Sequence, residues 1–169
     1  FLNHRLDTRL MFAMGRELAD YFGKDKPDIV LTVEDSGIAL ALAAAHFLDD
    51  IPVVFAKKSP AANQSADMLT AVAHSFTHGN DNALRVDRRY LPAGSRVLVV
   101  DDFLADGEAS RALISIVEQA GCTLVGVGIA VEKGFQPGGR KLREAGVNLK
   151  SLAIVTSIQD GRIQLADDD

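Results

Sequence analysis

Three stretches of this chain, Asp28–Val33, Arg96–Val100 and Thr123–Val131, are dominated by apolar and β-branched residues with no apolar–polar alternation. A strand that faces water on one side alternates; an unbroken apolar run belongs to a strand covered on both faces, as in a parallel sheet between helices. Segments at helical spacing lie between these runs. Leu10, Met11, Met14, Leu18 and Phe22 line one face of a helix expected to stop at Gly23, Ile38–Leu48 is Ala-rich, and Glu108–Ala120 is closed by Gly121. Pro52–Ala56 is expected as a second buried strand, Leu149–Ser157 as a last core strand, Gly139–Ala145 as a short helix and Arg162–Leu165 as an edge strand. Strands alternating with helices predict a single α/β domain, a Rossmann-like, mainly parallel sheet flanked by helices, with ligands at the carboxyl ends of the strands.

Two segments break this pattern. Leu69–Phe76 and Leu84–Tyr90 do alternate, around the turn-forming Thr77–Asn82, which predicts an antiparallel hairpin inserted beside the main sheet. Ser59–Asp67 is small and polar without periodicity and reads as a flexible loop. The domain is expected to span residues 1–166, with its N-terminal portion incomplete because the chain begins at Phe1, followed by an acidic tail at 167–169.

Composition narrows the function classes. There are 18 Lys+Arg against 23 Asp+Glu, a formal net charge of −5. A protein that coats nucleic acid needs a basic face to neutralise phosphates, so no nucleic-acid partner is expected. The single Cys122 permits no internal disulfide and suits a reducing cytoplasm, where it reads as a small core residue. No apolar stretch is long enough to span a membrane, so no membrane partner is expected.

The chemistry concentrates in Val97-Leu-Val-Val-Asp101-Asp102-Phe-Leu-Ala-Asp-Gly107-Glu-Ala-Ser110. An apolar strand delivers two adjacent carboxylates to its end. Adjacent strand residues face opposite ways, so a turn at the acids is expected if both are to meet one ligand. Backbone N–H groups of Ala105, Asp106, Gly107, Glu108 and Ala109, reinforced by the following helix, make an anion cradle. Acids for hydroxyls beside a cradle for phosphate match a sugar phosphate. The plainer alternative is that the acids cap the helix and Gly107 only makes a turn.

This segment resembles the donor signature of type I phosphoribosyltransferases. Phe1-Leu-Asn-His4, Val33-Glu-Asp-Ser-Gly-Ile-Ala39, Leu69-Thr-Ala71, Ser75-Phe-Thr77, Asp101-Asp-Phe-Leu-Ala105 and Glu132-Lys-Gly-Phe-Gln-Pro-Gly138 extend the likeness, in order along the chain, to the purine-using members and their bacterial xanthine branch. The resemblance implies the type I fold and transfer of a phosphoribosyl group from phosphoribosyl pyrophosphate to a 6-oxopurine, with xanthine the expected base, as a cytoplasmic homodimer. It implies that Asp101 and Asp102 hold the ribose hydroxyls and stabilise charge developing at the anomeric carbon, with Mg²⁺ bridging through the substrate and no protein-only metal site. It further implies that Ala105–Ala109 hold the 5′-phosphate and that Glu34, Asp35, Ser36 and Gly37 cradle pyrophosphate, with Lys57 and Lys58 facing it.

Each of these residues has a plain alternative. Ser36 can cap the next helix, and Lys57-Lys58 can be a solvated surface pair. Lys133, expected at the purine's exocyclic oxygen, can be a snorkelling surface side chain. Phe135 can stack on the base or fill the core, and Asn3 resembles a base-contacting position. His74 and His78 have an i, i+4 spacing, but on a strand and turn they suggest no metal site. Gly126-Val-Gly128 lies inside an apolar strand and is no dinucleotide fingerprint. One departure stands out. Where this family has hydroxyls or neutral amides, Asp106 and Glu108 place two acids beside the phosphate. The fold also admits a donor-sensing regulator, which would need a DNA-binding module that is not visible here, or an adenine-specific enzyme, which Lys133 disfavours.

Overall fold

The computed structural model describes residues 4–58, 67–74 and 81–166. Among these residues the α-helices and strands follow in the order α1 (Thr8–Phe22), β1 (Ile29–Val33), α2 (Gly37–His46), β2 (Val53–Ala56), β3 (Met68–His74), β4 (Asp81–Asp87), β5 (Arg96–Leu104), α3 (Glu108–Gln119), β6 (Thr123–Lys133), α4 (Gly138–Glu144), β7 (Leu149–Gln159) and β8 (Arg162–Leu165). The six-stranded sheet has the order β2-β1-β5-β6-β7-β8, parallel except for β8. β3 and β4 form the expected antiparallel hairpin as a separate sheet, joined to the main body where Lys57 and Arg85 pair through their backbones.

The non-alternating runs are buried on both faces, as their composition predicts. Val97 and Val99 of β5 join Leu113, Ile116 and Val117 of α3 and the hairpin's Leu69 and Leu84 in one core. Leu98 and Val100, the alternate residues, join Met11, Leu18 and Phe22 of α1 and Leu40 and Ala44 of α2 in the other. Gly126 fits this packing for a physical reason. A Cβ there would come within 2.5 Å of Phe22 and of the Asn148 carbonyl, so the glycine lets α1 lie directly on β6.

Several expectations change. β2 is the sheet edge and not a buried strand, with Phe55 41% exposed, and Pro52 suits an edge because it has no N–H to donate. β7 is half-buried, since its neighbour β8 is exposed throughout. α1 stops as expected, at Phe22 with Gly23 as its C-cap. A short 3₁₀ turn continues over Gly23–Asp25, and Lys26 takes the left-handed conformation at φ 46°. β6 runs on through Glu132 and Lys133, which the sequence placed after the strand. No helix among the described residues is long and apolar enough to cross a membrane.

Gly126→Ala is expected to destabilise by about 1–3 kcal/mol through overpacking against Phe22, lowering the melting temperature by several degrees in a thermal melt. An unchanged melt would mean that α1 shifts freely on β6.

Candidate active site

β1 and β5 are neighbours whose following helices go to opposite faces: α2 packs in the core with α1, and α3 packs in the core with the hairpin. A crevice opens where the winding reverses in this way, outside the carboxyl ends of the strands. A cavity of about 250 Å³ lies there, lined by Val33, Glu34, Ser36, Lys58, Ala73, Leu84, Asp101, Asp102, Asp106, Glu108 and Ala109. A larger cleft of about 460 Å³ sits apart between α3, β6 and α4 and holds none of these acids.

The expected turn at Asp101–Asp102 is absent. β5 continues through both acids to Leu104. The cavity is reached in a different way. Leu31 pairs with Val99, and β1 ends only two residues later, so β5 loses its neighbour on that side just where the acids begin. Asp101 is 5% exposed, and its Oδ1 accepts the Asp102 backbone N–H at 3.0 Å. Burial, reinforced by the Asp102 charge and a hydrogen bond to the Asp102 side chain, raises the Asp101 carboxyl to about 8, against the opposing pull of the Asp102 N–H and Lys58. Asp102 is half-buried.

The phosphate-loop candidates turn sharply after β5. Gly107 has φ 86° and precedes α3, whose first-turn amides lack carbonyl partners. Asp106 Oδ1 accepts the Glu108 N–H at 3.0 Å, while the Glu108 carboxylate pairs with Arg111. The loop is braced from behind. The Gly138 N–H donates to the Ala105 carbonyl at 3.0 Å, and a Cβ on Gly138 would come within 2.5 Å of that oxygen.

The other expected residues divide. Ser36 lines the cavity but makes no capping hydrogen bond, so the capping alternative falls: its backbone is helical at φ −68° rather than extended. Gly37 is buried, and a Cβ there would crowd Thr32 Oγ1 and sit 2.9 Å from Asp101 Oδ1. Its missing side chain therefore serves the protein's own packing. Asp35 is exposed and outside the cavity lining, whereas Glu34 lines it and accepts the Lys58 N–H at 2.6 Å. Lys58 reaches the cavity, while Lys57 does not line it and is tied by its backbone to Arg85. Lys133 is half-buried, with Nζ 6.0 Å from the Phe103 ring centroid. Phe135 is 50% exposed, which rules out filling the core. Asn3, residues 59–66 of the expected loop, residues 75–80 with His78, and the 167–169 tail lie outside the described residues.

Sequence reasoning missed two features. Thr32 Oγ1 is buried beside Asp101 without a hydrogen-bond partner among the described residues. Glu132, 3% exposed in an apolar strand, takes two hydrogen bonds from Arg143 at 2.7 Å each and one from Ser151. Burial pushes the Glu132 carboxyl up, but the bonds from Arg143 and Ser151 and the Arg143 charge outweigh it and hold it low. The pair fixes α4, whose first residue braces the loop after β5 at Ala105. A lone Glu in an apolar strand was the available signal, because such a charge demands a buried partner.

The family model for the phosphoribosyl transferase domain matches residues 6–161. Xanthine phosphoribosyltransferase 1 of Clostridium perfringens is 45% identical over 163 residues, covering 96% of this chain and 86% of the relative. Xanthine phosphoribosyltransferase of Bifidobacterium animalis subsp. lactis is 48% identical over 158 residues, covering 94% and 82%. Among solved structures, adenine phosphoribosyltransferase from Thermoanaerobacter pseudethanolicus superposes with a TM-score of 0.71 at 25% identity, covering 85% of this chain and 79% of that one.

Two outcomes test this geometry. A carboxyl raised by folding adds stability that is present at low pH and lost as pH rises through its folded value. Asp101→Asn keeps the Asp102 N–H acceptor, so its stability gain over the unsubstituted protein should grow from about pH 4 to about 8 and then level off. Melts across pH 5–9 measure this, and a gain that does not vary with pH would refute a buried neutral Asp101. Glu132→Gln leaves the Arg143 charge unpaired and should cost about 2–3 kcal/mol, less than for a fully buried pair because Arg143 is 43% exposed. Denaturant unfolding checks it.

Proposed function

The chain belongs to the phosphoribosyl transferase domain family, and from that premise we propose that it transfers the 5-phosphoribosyl group of phosphoribosyl pyrophosphate to xanthine, giving xanthosine 5′-monophosphate and pyrophosphate. The observation that carries this reading is convergence: Asp101, Asp102 and the Asp106–Ala109 loop meet in one cavity at the sheet's switch point. The near full-length likeness to the Clostridium and Bifidobacterium enzymes supports xanthine as the base.

In this reading the loop amides hold the 5′-phosphate and the acids hold the ribose hydroxyls. The bond from the anomeric carbon to pyrophosphate oxygen breaks, a ring nitrogen of the base forms the new bond to that carbon, and the nitrogen gives up its proton. Positive charge grows on the ribose between these events, and fixed carboxylates beside it lower the barrier without reorganising. Glu34, Ser36 and Lys58 form the pyrophosphate side, with Lys58 the cation nearest the leaving group. Lys133 at the end of β6 offers only donors, which match an exocyclic oxygen and mismatch the 6-amino group of adenine. Phe135, exposed beside it, is free to stack on the base.

Mg²⁺ fits the donor set. It takes one or two carboxylates and completes its shell with phosphate oxygens and water, and Asp101 and Asp102 supply that number at the cavity. When bound it neutralises pyrophosphate charge. A homodimer belongs to the same reading, and exposed Phe12 and Leu42 offer apolar surface for it.

Incubation with phosphoribosyl pyrophosphate, Mg²⁺ and each of xanthine, guanine, hypoxanthine and adenine should give nucleotide fastest with xanthine. Asp102→Asn should lower kcat/KM on the order of 10²-fold without lowering the melting temperature. Absence of product with every base would favour the donor-sensing regulator, and a preference for adenine would remove Lys133 as the selector.

A further inference from the structure

Asp106 and Glu108 stand on the loop read as the phosphate cradle, yet the structure treats the two acids differently. The Glu108 side chain is turned into an ion pair with Arg111 on the next turn of α3 and is only 12% exposed. The Asp106 carboxylate makes no ion pair among the described residues, lines the cavity, and accepts the Glu108 N–H at 3.0 Å. That amide is one of the first-turn donors of α3 that have no carbonyl to bond, the kind of group an incoming anion takes. A carboxylate oxygen already occupies that donor.

We infer that Asp106 is an internal competitor for the ligand's 5′-phosphate, occupying the Glu108 amide in the free protein and setting how tightly the loop holds that phosphate. Binding requires the phosphate either to displace Asp106 Oδ1 or to share the site with its charge, and both weaken the complex. Glu108 contributes far less because Arg111 already neutralises it. Donor and nucleotide product carry the same phosphate, so Asp106 loosens both and favours turnover over retention. This inference rests on the phosphoribosyl reading of the loop.

Calorimetric titration of the full chain with ribose 5-phosphate and, separately, with pyrophosphate, each in Mg²⁺, tests it. Asp106→Asn removes the charge but keeps an oxygen for the Glu108 amide, and Asp106→Ala removes both. Both should tighten ribose 5-phosphate on the order of tenfold and leave pyrophosphate unchanged. Glu108→Gln should change either ligand by less than about threefold. Thermal melts check that each variant is folded. If the unsubstituted protein binds both ligands and neither Asp106 variant tightens ribose 5-phosphate, the competitor role is overturned and the phosphoribosyl reading stands. Equal tightening of both ligands also overturns it, since a local competitor acts on one phosphate only. If ribose 5-phosphate binds no variant, the cradle itself falls and the inference with it.

Discussion

β5 outlasts β1. Because β1 ends at Val33 while β5 continues to Leu104, the central strand of the sheet leaves its last residues with a neighbour on one side only. Everything at the cavity follows from this offset. Asp101 and Asp102 come where the pairing stops, α2 departs to one face with Gly37 pressed against Thr32 and Asp101, and α3 departs to the other behind the loop. In an open parallel sheet such a crevice at the carboxyl ends of the strands, where the winding reverses, is where a polar ligand fits.

The brace behind the loop shows what such an opening requires. A helix of seven residues, α4, has little stability of its own. It is held by a carboxylate in β6 and a guanidinium of its own, and its Gly138 allows backbone to lie on backbone at Ala105 and Gly107. The amides of the loop therefore keep their direction without the ligand. Preorganised donors of this kind avoid reorganisation when charge develops, which is where catalytic advantage arises.

Much of this was legible in the sequence, because burial on two faces leaves a compositional trace. The runs at β1, β5 and β6, the hairpin and α3 appear where apolar patterning puts them. What could not be read was relational. Pro52–Ala56 has the same composition as a central strand, and only the strand order makes it an edge. The turn expected at Asp101–Asp102 came from treating one strand alone, whereas the cavity is opened by the length of its neighbour. Lys57 and Lys58 are indistinguishable in sequence, yet a backbone bridge to Arg85 separates their roles. Glu132 stands within the Glu132–Gly138 motif, but its partners Arg143 and Ser151 lie 11 and 19 residues away, and their meeting depends on α4 and β7 packing beside β6.

The acidic balance of the chain is consistent with a polyanionic ligand once the charges are assigned to places. Asp167, Asp168 and Asp169 account for three of the five net negative charges, leaving −2 for the remainder. Glu132 is matched by Arg143 and Glu108 by Arg111. Burial raises Asp101 to about 8, so near neutral pH it is largely uncharged in the free protein. Around the cavity this leaves Glu34, which accepts the Lys58 backbone N–H, Asp102, and Asp106, which accepts the Glu108 N–H. On the proposed reading Asp102 favours the reaction and Asp106 opposes tight binding of the phosphate. An active site that must release a phosphorylated product as readily as it accepts a phosphorylated donor has use for both.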